Sequence, residues 1–172
     1  MPVPAAAAFD LFFGGSILPW RHFEECSYIR VLEDDGDGRQ LLEAEETVEF
    51  AFLHLHKTLR TRLLVTLDRP AGTMAFRLAE RGVLRRFEGQ WRLVATGPSS
   101  CELLIMQEVQ PKWAPRPLRR RMRYALLAFC EFMLREMRDE AARVAAGRPA
   151  AGPRACDGIR AAEAEAVVAV AS

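Results

Sequence analysis

The sequence predicts an α+β fold in which a curved antiparallel sheet of about six strands wraps around one long C-terminal helix. Three observations lead to this prediction. Between residues 27 and 110, segments with a two-residue apolar period are joined by short turns. From 118 to 144, apolar residues recur instead at steps of three and four. Gly89 lies between Phe87 and Trp91 on the apolar face of one strand, where a glycine marks a bend or a close approach.

The first predicted elements are two short helices. Pro4 precedes an apolar segment at 5–13 that the pair Gly14-Gly15 would end. The following segment, at 16–27, is predicted to form a second short helix or an ordered turn.

Strands are predicted from residue 27 onwards. The turn-rich sequence DDGDG joins the first two into a hairpin, and RPAG joins the third to the fourth. The predicted strands are 27–33, 39–46, 53–68, 73–80, 86–94 and 101–110.

The character of the chain changes after Pro111. The linker PKWAPRP ends at Pro117, which suits the first turn of a helix. The helix predicted at 118–144 carries an apolar stripe, and because Glu136 and Glu140 fall on it, we expect the packing to loosen towards its C-terminal end. The stripe consists of Leu118, Met122, Ala125, Phe129, Phe132 and Met133.

The last segment, 145–172, is rich in Ala, Gly, Pro and Arg and has no sustained apolar period. It is predicted to be a mostly disordered tail on a single domain at 1–144. Deleting the tail should therefore leave the melting temperature nearly unchanged. A fall of more than a few degrees in a thermal melt would show instead that the tail packs on the domain.

Composition restricts the classes of function. The 172 residues contain 24 Lys and Arg against 23 Asp and Glu, so the charge balance does not favour nucleic acid as a partner. No apolar run approaches the ~20 residues of a membrane span, and the N-terminal residues lack the basic region of a secretory signal. The four cysteines lie far apart without metal-ligand spacing, which favours an intracellular reducing compartment.

The order of segments LRTRLLVTLD, MAFRLAE, RRFEGQWRLVATG and CELLIMQEVQPKWAPRPL, followed by a long helix, resembles the START-like superfamily of helix-grip proteins. The resemblance covers about residues 5–144 and is strongest to the branch of polyketide cyclases/dehydrases and coenzyme Q-binding proteins. Its most specific motif is F-x-G-x-W, formed by Phe87, Gly89 and Trp91, with VQPKWAPRPL leading into the helix. The resemblance implies a single domain with a deep apolar cavity between sheet and helix. Relatives bind lipids, quinones, polyketides or other hydrophobic molecules; most are carriers and a minority catalyse.

The sequence departs from the family at its start. Members open with a strand before the first short helix, and MPVP is too short to supply it. The simplest interpretation is a truncated or mis-started gene product. An upstream targeting segment, for a plastid or a mitochondrion, would then be missing.

Inward apolar residues are the candidate lining of a ligand cavity. From the residues alone an ordinary packed core is the simpler interpretation, and the resemblance implies a cavity wall. Gly89 fits both, as a packing fit or as one wall of the cavity, and we favour the cavity. The candidate lining residues are Leu59, Leu63, Met74, Phe76, Phe87, Gly89, Trp91, Leu103, Ile105, Met122, Phe129 and Met133. The candidate polar groups that would orient a ligand are Lys57, Thr61 and Gln107.

Two other clusters have simpler interpretations than a site. His54 and His56 share a strand face and could join His22 in a metal site, but no carboxylate or cysteine supports them, so a solvated face is favoured. Glutamates at positions 43, 45, 46 and 49 have no nucleophile nearby, so a surface hairpin is favoured over acid/base chemistry. No catalytic residue, metal or cofactor is predicted.

Five arginines lie in the sequence RPLRRRMR, at 116–123, around the first turns of the long helix. The helix macrodipole disfavours cations there. Ion pairs with nearby acidic residues are the favoured compensation, and anionic lipid headgroups are the alternative. The candidate membrane contacts are Arg116, Arg119, Arg120 and Arg123.

The function predicted first is a non-enzymatic module that binds, and delivers to a partner or membrane, a hydrophobic small molecule such as a quinone or lipid. The alternative is an enzyme of the aromatase/cyclase type acting on a polyketide-like chain in the same cavity. An enzyme should show convergent ionisable residues at inward positions, and here those positions are almost wholly apolar, which favours binding. A pure interaction domain with a filled core is a third interpretation.

Overall fold

The computed structural model describes residues 1–13, 26–52, 55–80, 82–113 and 115–148. The predicted α+β architecture is confirmed: a six-stranded antiparallel sheet, in chain order, is combined with a short N-terminal helix and a long C-terminal helix. The second short helix predicted at 16–27 falls mostly outside the described residues. The elements are α1 (Ala5–Phe12), β1 (Cys26–Asp34), β2 (Arg39–Phe52), β3 (Leu55–Asp68), β4 (Thr73–Leu78), β5 (Leu84–Gly97), β6 (Ser100–Pro111) and α2 (Arg116–Ala145).

Several element bounds differ from the prediction. Strand β2 continues to Phe52 instead of ending at 46, because it pairs with β3 along its whole length. Strand β4 stops at Leu78 instead of 80, where the Ala79 amide makes its last bond to the Arg62 carbonyl, at 2.8 Å. Strands β5 and β6 are longer than predicted, and α2 begins at Arg116, with Pro117 in its first turn.

Side chains alternate across the sheet as the two-residue period predicts. In β3, Leu63 and Val65 are fully buried, whereas the neighbouring Arg62 and Thr66 are exposed. Because the register pairs mostly apolar positions of neighbouring strands, one face of the sheet forms a continuous, largely apolar surface. One inward row crosses the sheet as Leu42, Val65, Phe76, Gly89 and Gln107, and the next as Leu67, Met74, Trp91 and Ile105.

Helix α1 and the C-terminal half of α2 cover this inner face. Phe9 and Phe13 of the N-terminal segment are buried, and the Phe13 ring meets the Trp91 ring edge-on, with centroids 6.2 Å apart. From α2, Met137 and Ala141 join the same buried cluster. The expectation that packing loosens towards the C-terminal end of α2 is therefore wrong.

The residues before α1 lie along the free edge of β6. The Met1 ammonium donates to the Cys101 carbonyl at 2.6 Å, and the Cys101 amide donates to the Met1 carbonyl at 3.1 Å. Val3 is buried beside them. This edge is thus partly covered by backbone pairing.

Turn chemistry fixes the hairpins at the same end as α1. In the turn between β1 and β2, Gly36 has a positive φ of 75°, and the Asp34 carboxylate accepts a hydrogen bond from its amide at 2.9 Å. In the turn before β4, Gly72 has φ of 63° and accepts a bond from the Leu93 amide at 2.8 Å. A side chain at Gly72 would be strained and would press on the Leu93 carbonyl oxygen.

Candidate ligand-binding site

The described candidate lining residues lie together on the inner face of the sheet. Leu63, Met74, Phe76, Trp91 and Met133 belong to one buried cluster, and three further candidates pack against it half-buried: Phe87, Leu103 and Ile105. Their assignment to the wall of a ligand cavity stays a prediction. The side chains of four other candidates lie outside the described part: Leu59, Met122, Phe129 and Lys57.

The space above Gly89 is occupied by an aromatic ring from the neighbouring strand. A Cβ at Gly89 would lie 2.6 Å from both Cε1 and Cζ of Phe76 and 2.9 Å from Cγ of Gln107. The Phe76 ring is itself held edge-on against Phe87, with centroids 5.1 Å apart. Gly89 therefore faces a packed ring, which corrects our preference for an open gap and supports the packing fit.

Among the side chains of α2 that the structure describes, burial increases towards the C-terminal end. Met133, Met137 and Ala141 are buried, whereas Cys130 and Leu126, one and two turns earlier on the same face, are half-buried. Glu140 is also buried on this helix and pairs with Arg143 at 3.4 Å. The end covered by α1 is thus closed, and the described inner face is less covered towards the start of α2.

A polar contact joins α2 to the sheet at the less covered end. The Cys130 thiol donates to Oε1 of Gln107 at 3.5 Å, and burial raises the pKa of this thiol, which keeps it protonated as a donor. Gln107 lies opposite Gly89 on β6, next to the Phe76 ring. One of the three predicted orienting groups is therefore placed at the interface between sheet and helix.

A cleft of about 330 Å³ opens beside the end of β4. It forms where β4 stops at Leu78 while β3 continues back to Leu55 and β5 begins at Leu84. Thr61, the second predicted orienting group, is 8% exposed and lines the cleft together with Leu78 and Leu84. Sequence reasoning missed this cleft, because its position depends on the residue at which β4 leaves the sheet.

An ion-pair cluster borders the cleft on the outer face of the sheet. Arg62 pairs with Glu45 at 3.3 Å and with Glu80 at 3.4 Å. The hydrogen bond from Arg62 to Glu45 is the main reason that the arginine pKa is raised. Glu43 pairs likewise with Arg30 at 2.9 Å, so the described part of the acidic stretch is a surface hairpin.

One buried donor in the core lacks an acceptor. Among the described residues, Nε1 of Trp91 makes no hydrogen bond, although the side chain is only 1% exposed. An unpaired buried donor costs roughly 1–3 kcal/mol. An acceptor brought to this nitrogen would therefore stabilise the core.

The described inner face offers little for acid/base or metal chemistry. No three His, Cys, Asp or Glu side chains in the described ranges are grouped so that they could hold a metal ion. His22 and His54 lie outside those ranges, as does the side chain of His56. No helix in the part of the chain that the structure describes is apolar and long enough to span a membrane.

The curved antiparallel sheet and the long C-terminal helix packed on it define a helix-grip protein of the START-like type. The chain belongs to the polyketide cyclase/dehydrase and lipid transport family, whose model matches residues 1–131. The resemblance to polyketide cyclases/dehydrases drawn from the sequence is thereby confirmed. No curated protein has significant sequence similarity to the chain.

Solved structures with a similar fold share little sequence with the chain. TTHA0849 from Thermus thermophilus is 16% identical, with a TM-score of 0.47, and the match covers 100% of this chain and 94% of that one. The Zhui aromatase/cyclase from Streptomyces sp. R1128 is 16% identical, with a TM-score of 0.45 and coverage of 98% and 90%. The 18 kDa protein CC1736 from Caulobacter crescentus is 18% identical, with a TM-score of 0.40 and coverage of 97% and 88%.

Proposed function

We propose that the protein binds a hydrophobic small molecule between the sheet and α2 and acts as a carrier. The ligand is of the lipid, quinone or polyketide-like class. The observation that supports this most is the continuous apolar inner face, closed at one end by α1 and less covered at the other. Family membership supports the same class of ligand.

The ligand would lie at the less covered end, against the half-buried side chains of Phe87, Leu126 and Val109. Burial of hydrocarbon there supplies affinity, at ~0.8 kcal/mol per CH₂ group. Its apolar end would point towards the ring of Phe76, which is held by the closed part of the core.

A small number of polar groups would orient the ligand. Gln107 has an amide group with two N–H donors, and its oxygen already accepts the Cys130 thiol. The amide nitrogen would donate to a carbonyl oxygen of the ligand, as would the hydroxyl of Thr61 at the cleft. Lys57 stays a third candidate of the same kind.

The role of Gln107 is tested with two probes of equal chain length, a decyl-substituted quinone and decylbenzene, which has no oxygen. In Gln107→Leu the quinone should bind about 2- to 13-fold more weakly, since one hydrogen bond contributes about 0.5–1.5 kcal/mol, and decylbenzene should bind unchanged. Gln90→Leu, on the exposed outer face of β5, is the matched control and should change neither. Equal weakening of both probes in Gln107→Leu would show that the residue only supports packing.

An aromatase/cyclase-type enzyme is the second candidate function, because the family description includes cyclases and dehydrases. A carrier returns its ligand unchanged, whereas an enzyme changes its mass or its absorption spectrum. Native mass spectrometry of protein purified from its own source, followed by extraction of the bound molecule, would identify the ligand. Incubation of that molecule with fresh protein then distinguishes the two functions.

We propose in addition that a carrier of this kind meets a membrane through arginines of α2, at Arg116, Arg119, Arg120 and Arg123. The charges at the start of α2 support this part of the proposal. Arg120 lies off the helix face that carries Leu126 and Cys130, so its substitution tests membrane contact apart from ligand binding.

A further inference from the structure

Two neighbouring loops and the start of α2 form one exposed surface at the less covered end of the fold. The Lys112 amide donates to the Val83 carbonyl at 3.0 Å, which joins the loop before β5 to the loop before α2. Trp113 is 80% exposed and Val83 is 52% exposed. We define the docking surface as Val83, Lys112, Trp113, Arg119, Arg120, Arg123 and Tyr124.

The docking surface is strongly basic although the whole chain is nearly neutral. Between residues 112 and 130 the sequence contains six Lys or Arg and no Asp or Glu. Arg119, Arg120 and Arg123 are exposed, and their spacing of one and three residues places them on one side of α2. The first turn of this helix contains no acidic residue.

Arg120 contacts the aromatic ring of Tyr124. Its guanidinium lies 5.6 Å from the Tyr124 ring centroid, and Nη2 donates to the Tyr124 hydroxyl at 3.4 Å. This hydrogen bond is the main reason that the pKa of Tyr124 is lowered. The pair presents a cation and an amphipathic ring side by side, a combination suited to the polar interface of a bilayer.

We propose that the docking surface binds bilayers that contain anionic phospholipids. The arginines would pair with lipid phosphates, and Trp113 and Val83 would enter the interface between headgroups and acyl chains. A polyanion such as DNA would satisfy the charges but would leave the exposed Val83 without an apolar partner. A bilayer satisfies both parts of the surface.

The docking surface adjoins the cleft beside β4. Val83 belongs to the docking surface and also lines the cleft, next to Thr61 and Leu84. A bilayer on the docking surface would therefore border a route from the acyl chains to the inner face. This link to ligand transfer rests on the proposed ligand site, whereas the binding of bilayers deepens the proposed membrane contact and is tested without a ligand.

The test is co-sedimentation of the full chain, without ligand, with phosphatidylcholine vesicles that contain or lack phosphatidylserine. Wild type should bind only the anionic vesicles and should dissociate as salt is raised. Arg120→Glu with Arg123→Glu should weaken this binding more than about 25-fold, since each cation near the surface contributes a factor of about five and the introduced carboxylates repel anionic lipids. Trp113→Ala should weaken it about tenfold, because the partly inserted ring loses its apolar burial.

The matched control reverses two other exposed arginines, Arg92 on the outer face of the sheet and Arg148 beyond the far end of α2. Arg92→Glu with Arg148→Glu changes the net charge by the same amount and should retain binding within about threefold. Equal loss in the control would overturn the proposal, because binding would then follow net charge and not the surface. Absence of binding to anionic vesicles by a wild type that binds duplex DNA would overturn it in favour of nucleic acid.

A second measurement separates membrane binding by the docking surface from the proposed ligand binding. Uptake of the decyl-substituted quinone, measured without vesicles, should be unchanged in Arg120→Glu, because Arg120 lies off the face of α2 that carries Leu126 and Cys130. Vesicle binding by a wild type that takes up no quinone would support the docking surface while contradicting the quinone as ligand. Quinone uptake by a wild type that binds no vesicle would overturn the docking surface alone.

Discussion

Gly89→Ala should destabilise the protein by ~1–3 kcal/mol, and Gly89→Leu by more, because either side chain enters space that the Phe76 ring already fills. The predicted Cβ contacts of 2.6 Å with Phe76 are shorter than any that packed side chains adopt. The ring cannot turn away freely, since it is 3% exposed and held against Phe87. Urea unfolding followed by circular dichroism measures the free energy of unfolding for each variant.

Two controls show whether the cost comes from this contact. Gly82→Ala adds the same methyl group where no atom lies within 4 Å, so its effect should stay within about 0.5 kcal/mol. Phe76→Leu removes ring atoms from above Gly89, so Gly89→Ala should cost less in that background, with a coupling of roughly 0.5–3 kcal/mol. Additive effects in the double variant would contradict the contact between Gly89 and Phe76.

Gly89 also shows what the sequence can and cannot predict. The alternation of Phe87, Gly89 and Trp91 correctly predicts that these residues face inward. It also predicts that a neighbouring side chain can approach the backbone closely at Gly89. It does not say which neighbour approaches, because that depends on the register between β4 and β5. The register places Phe76 opposite Gly89, and a shift of two residues would have placed Met74 or Leu78 there.

The long helix shows a different limit. Its apolar stripe predicts which side faces the sheet, and the burial of Met133 agrees with that prediction. The stripe does not predict which end of the helix is covered, since that depends on where α1 lies, and the Phe13 that follows α1 packs on Trp91. Glu140 on the stripe suggests loose packing, but its carboxylate turns towards Arg143 while the neighbouring Ala141 is fully buried.

The candidate site is subject to both limits, the unknown strand register and the unknown packing of helix on sheet. Gln107 could be selected from the sequence because it is a polar residue on an apolar strand face. Its thiol partner could not, since Cys130 lies on α2 and meets Gln107 only through the packing of helix on sheet. The cleft at Thr61 depends in the same way on where β4 ends, a boundary that the two-residue period leaves open by a few residues.

Met137→Asp should abolish cooperative folding, a larger effect than any other single change proposed for this chain. Met137 is 4% exposed and belongs to the same buried cluster as Phe9, Trp91 and Met133. Truncating a buried methionine costs about 2–5 kcal/mol, and burying an unpaired carboxylate adds several more. The sum approaches the ~5–15 kcal/mol by which whole domains of this kind are stable.

Leu134→Asp is the matched control for that change, because it introduces the same residue into the same helix at a position that is 38% exposed. The intrinsic helix penalty of aspartate is equal at both sites, so the difference between the variants reports packing on the sheet. Thermal melts followed by near-ultraviolet circular dichroism should show a cooperative transition in Leu134→Asp and none in Met137→Asp. An unfolded variant does not show how much stability the side chain contributes. Met137→Ala provides that measurement, with an expected loss of about 2–5 kcal/mol in the free energy of unfolding. A melting temperature in Met137→Ala close to that of wild type would mean that the C-terminal half of α2 does not close the core. The ligand would then have to be sought at that end of the sheet as well.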